Sequence, residues 1–324
     1  MTQKKIAIIR RPPGPALQRL VDTLSPYGEL LINPTEATLD DGGLIALMRD
    51  ADAALITSLD TLSGAVMEAC PKLRLLVNIG VGVNGIDLET AKRCGVTVTN
   101  TPGANSNAVA DHAWGLLIGA ARRLVAADQF VRSGAWTPAN RMGFGSGLDV
   151  SGKTLGLLGF GQIGQAVARR ALGFDMPVLY QTRSRVSGEV ESALKATHVP
   201  LDALLTQSDY LVLTVPYTTE THHIIAAPQL ALMKKSAVIV NVARGGVIDE
   251  SALVVALTDR TIAAAALDCM ENEPQVHPEL LAAPHVMFSP HSAGATSGTH
   301  QAMIALAVKN LVMGLSGQAP PNRV

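Results

Sequence analysis

The stretch from Thr154 to Arg185 leaves this chain few folds to choose from. A short apolar run, Thr154 to Leu158, predicts a buried strand, Gly159, Gly161 and Gly164 make a GxGxxG turn, and Gln165 to Leu172 predicts a helix. A second strand is expected at Val178 to Tyr180, at βαβ distance. In that order the glycines permit a tight turn, close approach of the backbone to a pyrophosphate, and close packing of helix on strand. Amides at the start of the helix, with Gln162 and Ile163 inside the motif, would meet the phosphates at the positive end of the helix dipole.

The end of the second strand bears on which dinucleotide binds. A carboxylate roughly 20 residues beyond such glycines hydrogen-bonds the ribose 2′-hydroxyl of NAD and repels a 2′-phosphate. Here the strand ends in Gln181-Thr182-Arg183-Ser184-Arg185, and the nearest acid, Asp175, comes before the strand. Two guanidiniums and two hydroxyls suit a phosphate, so NADP(H) is expected in preference to NAD(H), with NAD(H) still possible. The alternative, that Arg183 and Arg185 are solvated loop charges, stays open.

At 324 residues two domains of ordinary size are expected. A net charge of −1 and the lack of a basic stripe argue against a nucleic-acid partner. Cys70, Cys94 and Cys269 are scattered without paired metal spacing, which predicts no metal site and fits a reducing compartment. The apolar run Ile6 to Ile9 ends at Arg10 and Arg11, too short for a signal peptide or a membrane span. The expected location is the cytoplasm.

Up to about Thr99 short β-rich runs (Ile6 to Ile9, Ala53 to Ile56, Leu75 to Asn78, Val96 to Val98) alternate with helical ones (Ala16 to Leu24, Leu44 to Met48, Ser63 to Ala69, Leu88 to Arg93). Such alternation predicts a parallel sheet covered by helices. The first strand is followed by Arg11-Pro12-Pro13-Gly14-Pro15, whose prolines lack the donors a phosphate needs. The turn Gly80-Val81-Gly82-Val83-Asn84-Gly85 follows a strand and offers backbone amides to a small anion, although a plain tight turn explains it equally. A break at Asn100 to Gly103 precedes a long helix, Ser106 to Arg123, and Gly143 to Gly147 leads into the dinucleotide unit at about Ser151.

Beyond Arg185 three strands are expected: Leu211 to Val215, ending at Pro216, Ala237 to Asn241, ending in Val242-Ala243-Arg244, and Ala263 to Leu267, ending in Asp268. Residues just past strand ends face the ligand of an open parallel sheet, which makes Arg244 and Asp268 candidates. Val286 to Phe288 closes the series before Ser289-Pro290-His291, and Thr296 to Leu315 predicts a last helix. Reducing a carbonyl requires a proton donor, a cation for a substrate carboxylate, and a group that tunes the donor. His291, Arg244 and Glu273 can fill these roles, since a carboxylate beside an imidazole favours the protonated ring. His112, His198, His222 and His223 have no comparable setting and are expected to be surface or core residues.

Four ordered motifs resemble the D-isomer-specific 2-hydroxyacid dehydrogenases: Gly159 to Gly164, Asn241 to Glu250, Leu267 to Pro274, and Pro290 to Thr296. The resemblance implies an α/β fold with a Rossmann coenzyme domain (101–290, core from 151) inserted into a flavodoxin-like substrate domain (1–100 with 291–324). It also implies a homodimer. Carried over residue by residue, Arg244 would bind the substrate carboxylate and carbonyl, Glu273 would pair with the histidine, and His291 would be the acid/base and touch the cofactor. Val81 and Gly82 would hold the substrate carboxylate through their amides. Val109, Val215, Pro216, Val242, Ala243, Asp268 and Gly294 would be cofactor contacts.

The resemblance is closest to NADPH-dependent glyoxylate/hydroxypyruvate and 2-ketogluconate reductases, with Thr182 and Arg183 where NAD-dependent members carry an acid. Ser292 departs from the apolar residue usual after the histidine. Trp136 matches a tryptophan near the dimer loop, while Ala139 stands where some hydroxypyruvate reductases carry a second one. The expected activity is reduction of a small 2-oxo acid to the D-2-hydroxy acid. The alternatives are a phosphite-type dehydrogenase on the same fold and a non-catalytic dinucleotide-sensing protein.

Overall fold

The computed structural model describes residues 3–11 and 15–324, and the Pro12–Gly14 part of the proline-rich turn lies outside them. The chain divides into two compact units, residues 1–105 with 296–324, and residues 106–295.

In the first unit strands and helices alternate: β1 (Lys5–Ile8), α1 (Pro15–Leu24), β2 (Glu29–Ile32), α2 (Asp41–Met48), β3 (Ala53–Thr57), α3 (Gly64–Glu68), β4 (Leu75–Ile79), α4 (Leu88–Arg93) and β5 (Thr97–Thr99). The strands pair in parallel in the order β2-β1-β3-β4-β5, the flavodoxin-like winding. Successive side chains point to opposite faces. Ile6 and Ile8 therefore join Leu20, Leu24 and, from the C-terminal helix Ser297–Leu315, Ala307 and Leu311. Ala7 and Ile9 join Leu44, Met48, Val66 and Met67 on the other face. Helices start where a side chain can take an orphan amide: Asp40 accepts from Gly43 N at 2.8 Å and Asp87 from Thr90 N at 2.9 Å.

The second unit continues with α5 (Ser106–Ala121), α6 (Leu124–Arg132), β6 (Leu155–Leu158), α7 (Gln162–Ala171), β7 (Val178–Gln181), α8 (Gly188–Leu194), β8 (Ala196–His198), α9 (Leu201–Gln207) and β9 (Tyr210–Leu213). It is completed by α10 (Ala227–Leu232), β10 (Val238–Asn241), α11 (Glu250–Thr258), β11 (Ala264–Leu267), α12 (Pro278–Ala282) and β12 (Val286–Phe288). Its parallel sheet has the order β12-β11-β10-β9-β6-β7-β8. The winding reverses between β6 and β9, and in open α/β sheets ligands bind beside that switch point, outside the carboxyl ends of the strands. Long α5 lies on α7, where Trp114 Nε1 donates to Val167 O at 3.1 Å. The Trp114 ring also stacks on Phe174 at 4.4 Å between centroids.

Three local expectations need correction. The strand expected to reach Val215 ends at Leu213, and the Thr214 hydroxyl donates to Gly159 O at 2.9 Å instead of extending it. The helix expected to reach Arg123 ends at Ala121, because Arg123 adopts φ 53°, which a helix cannot contain. β2 and β8 were unread: both are short edge strands, and neither shows the buried apolar run of a central strand. Among the described residues no helix is long and apolar enough to cross a membrane.

Candidate active site

The glycine turn sits at the switch point and each glycine of the motif meets a different demand. Gly159 has φ 97°, and a Cβ there would lie 2.8 Å from the Thr214 carbonyl carbon. A Cβ on Gly164 would lie 2.5 Å from Gly159 O, so α7 packs on the turn only with glycine at that position. Around Gly161, the N-cap of α7, there is open space within 4 Å of a Cβ position, and no side chain caps the helix. Its first-turn amides, at Gln162, Ile163 and Gly164, are therefore left to an outside acceptor, which fits the pyrophosphate of a dinucleotide.

At the end of β7 the two arginines differ in their partners. Arg185 donates to Glu191 through Nε at 2.8 Å and through NH2 at 2.7 Å, a bidentate pair, and Tyr180 OH donates to the same carboxylate at 2.7 Å. Hydrogen bonds from Arg185 and Tyr180 hold the Glu191 carboxyl down at about 2. Arg185 is thus paired with Glu191 within the protein, while its side chain stays 66% exposed. Arg183, exposed beside Thr182 and Ser184, has no hydrogen bond or ion pair among the described residues, and its charge helps to lower Glu220.

The His291 side chain meets Glu273 across an Nδ1 to Oε2 distance of 2.7 Å. The other Glu273 oxygen accepts from Met270 N at 2.9 Å, anchoring the carboxylate to its own loop. Burial pushes Glu273 up, but the bonds from His291 and Met270, with the charges of His291 and Arg244, outweigh it and leave the carboxyl below its usual range. With Nδ1 facing an acid, Nε2 of His291 is the nitrogen left for a reacting oxygen. Arg244 begins the turn after β10, where Asn241, itself 1% exposed, accepts from Ala243 N at 3.0 Å and donates to Arg244 O at 2.9 Å.

His291 takes φ 50°, and Asp268 imposes that conformation. The Asp268 carbonyl accepts from His291 N at 2.8 Å, and its carboxylate accepts from Ser292 N at 2.9 Å and Ala293 N at 3.0 Å. The Ser289 hydroxyl donates to the same acid at 2.6 Å and lies 2.8 Å from His112 Nε2. Asp268, read as a cofactor contact, therefore spends its acceptors on the loop that carries His291. The remaining expected cofactor contacts differ in exposure: Val109, Val242 and Ala243 are buried in the two apolar clusters of this sheet, whereas Val215 and Gly294 are half-buried and Pro216 is exposed.

Cys269 Sγ lies with Glu273 and His291 ligand atoms in a group spanning 4.8 Å. The donors do not suit a cation: acid and ring are bonded to each other, and burial, with the charges of Asp268 and Glu273, holds the thiol protonated far above its usual value. In the first unit the Gly80–Gly82 turn has its carbonyls tied inward. Gly80 O accepts from Thr101 N at 2.9 Å, Val81 O from Asn100 Nδ2 at 2.9 Å, and Gly82 O from Asn78 Nδ2 at 2.8 Å. No acceptor for the Val81 and Gly82 amides is found among the described residues, so the turn offers donors only.

Residues that sequence reasoning set aside are part of this framework. His112 and Ser289 brace Asp268, and His223 lies 2.8 Å from Glu271 in the loop bearing Glu273. Their partners are 177 and 48 residues away in the chain, beyond any local spacing signal.

Residues 114–293 match the family described as D-isomer specific 2-hydroxyacid dehydrogenase, NAD binding domain. The glyoxylate reductase of Thermococcus onnurineus is 42% identical over 327 aligned positions, covering 99% of this chain and 95% of that protein. The glyoxylate reductase of Thermococcus gammatolerans is 44% identical, over 94% of this chain and 92% of its own. Among solved structures, the NADPH-dependent glyoxylate/hydroxypyruvate reductase of Sinorhizobium meliloti, in complex with NADP and malonate, superimposes with a TM-score of 0.88 at 35% identity, covering 100% and 97% of the two chains. Fold, glycine turn and relatives together define an oxidoreductase that uses a nicotinamide dinucleotide. More narrowly, the chain belongs to the D-isomer-specific 2-hydroxyacid dehydrogenase family.

Proposed function

We propose that this protein reduces a small 2-oxo acid to the D-2-hydroxy acid with NADPH, glyoxylate or hydroxypyruvate first and 2-ketogluconate next. The observation that carries the reading is the 2.7 Å contact between His291 Nδ1 and Glu273 Oε2, with Arg244 close enough to act on the same acid. A bound reduced nicotinamide supplies the hydride. Protonated His291 gives its Nε2 proton to the carbonyl oxygen, and ionised Glu273 stabilises the charged ring before transfer and orients it. Arg244 offers a guanidinium to the carboxylate and carbonyl of the substrate. The Val81 and Gly82 amides, with no acceptor among the described residues, suit a carboxylate as well.

NADPH preference is supported by the lack of an acid from Gln181 to Arg185, at the end of β7, and by the exposed Arg183 beside Thr182 and Ser184. A homodimer is supported by α6, which has no buried residue, and by Leu124, Val125, Val131, Trp136 and Met142, all half or more exposed. These side chains form the contact with a second copy, which sedimentation would register as twice the chain mass. Three free cysteines suit the reducing conditions of a cytoplasm.

Initial rates for a panel of 2-oxo acids, each with NADPH and with NADH, test the proposal. Saturable turnover of glyoxylate or hydroxypyruvate, faster with NADPH, is expected. Turnover of phosphite with NAD(P)⁺ and of no 2-oxo acid would refute it.

A further inference from the structure

Behind Glu273 the segments 244–250 and 269–273 are clasped together by two carboxylates. The Glu271 amide donates to Glu250 Oε1 at 2.9 Å, and the Glu250 amide donates to Glu271 Oε1 at 3.2 Å. His223 Nε2 lies 2.8 Å from the same Glu271 oxygen, and the His223 amide donates to Gly246 O at 2.8 Å, drawing in a third segment. The two main chains run so close that a Cβ on Gly245 would stand 1.9 Å from the Met270 carbonyl carbon.

Glu250 is 4% exposed, an expensive place for an acid. Burial pushes its carboxyl up, the bond from the Glu271 amide pulls it down, and the charges of Glu271 and Glu273 push it up again, opposed by His277. An apolar side chain of similar size would pack there at lower cost, but it would accept no hydrogen bond from the Glu271 amide. The bond matters because Glu273 is anchored to the same loop through Met270 N, so a displaced loop carries the carboxylate with it.

We infer that Glu250 is a positioning residue for the acid–base pair: its clasp with Glu271 fixes the 269–273 loop and so holds the Glu273 carboxylate against His291. The inference rests on the roles proposed above for Glu273 and His291. Glu250 makes no hydrogen bond to Glu273 or His291 among the described residues, and its carboxylate also feels the Glu273 charge. Among the described residues, Arg244 acts on Glu273, and Cys269 lies beside both members of the pair.

The test uses the full chain with its coenzyme and the fastest 2-oxo acid of the panel. Glu250→Ala should lower kcat by about tenfold to a hundredfold, the scale of a small misplacement of a reacting group, with KM and coenzyme Kd within about twofold. Glu250→Gln, which keeps an oxygen for the Glu271 amide, should restore most of the rate. In a Glu273→Gln background the Glu250→Ala change should cost nothing further.

An undiminished kcat in Glu250→Ala, no rescue by Glu250→Gln, or losses that multiply fully in the double variant would overturn the inference. If Glu250→Ala does not fold, Glu250→Ser takes its place in the same measurements. Failure of the underlying reading is separate: it shows as wild-type rates in His291→Ala and Glu273→Gln, whatever the Glu250 variants do.

Discussion

The His291 amide donates to the Asp268 carbonyl at 2.8 Å, while the Asp268 carboxylate takes the next two amides, those of Ser292 and Ala293, at 2.9 and 3.0 Å. One acid thus fixes the main chain on both sides of the ring and holds it at φ 50°. The Ser289 hydroxyl braces that acid at 2.6 Å. Ser289→Ala should therefore cost about 1.5–3 kcal/mol of stability, the range for a hydrogen bond to a charged group. It should also lower kcat severalfold with little change in coenzyme Kd. Chemical denaturation and steady-state kinetics would show both effects, and a variant with unchanged stability and rate would deny the brace.

Arg183 and Arg185 should respond differently to truncation. Arg185 is spent on Glu191, whereas Arg183 is exposed without such a partner among the described residues. Arg183→Ala should weaken NADPH binding about tenfold or more, the value of a charge-assisted bond to phosphate, and leave NADH binding unaltered. Arg185→Ala should change NADPH binding less. Fluorescence titration with both coenzymes checks this, and a larger loss in Arg185→Ala would reverse the assignment.

Glu191 gives the acid limb of stability a predictable sign. Its carboxyl falls from 4.5 to about 2 on folding, because the folded state bonds the ionised form to Arg185 and Tyr180. That contribution is complete above the unfolded value and is lost as the pH drops from about 4.5 towards 2. Melting temperatures of Glu191→Gln should accordingly be lower than wild type near neutrality and converge with it at low pH. Parallel curves across the whole range would contradict this.

Gly245 marks where two backbones nearly touch. Any Cβ there meets the Met270 carbonyl group and the Glu271 amide, main-chain atoms that cannot rotate aside. Gly245→Ala should destabilise the fold by about 1–3 kcal/mol, as overpacking does, and reduce kcat through the displaced Glu273 loop. Thermal unfolding and initial rates measure both, and an intact rate would separate that loop from the chemistry.

Much of the fold could be read in the sequence because its central strands are continuous apolar runs and its ligand sites follow strand ends. Gly159 to Gly164, Arg244 and Asp268 are candidates for that reason. What sequence could not give is the partner choice of charged side chains. Glu191 reaches Arg185 from α8, and Ser289 and the amides after His291 reach the oxygens of Asp268, pairings that no local spacing announces. His112 and His223 escaped notice for the same reason, since their partners approach only in three dimensions. The edge strands β2 and β8 failed differently: half-exposed and short, they carry too little hydrophobic pattern to stand out.

The central claim is that His291 delivers the proton. The most direct measurement is the kcat of His291→Ala with NADPH and the preferred 2-oxo acid, alongside its NADPH Kd. Loss of the acid should cost about 10²–10⁴-fold in turnover with Kd nearly unchanged. A variant that turns over at the wild-type rate would contradict the account.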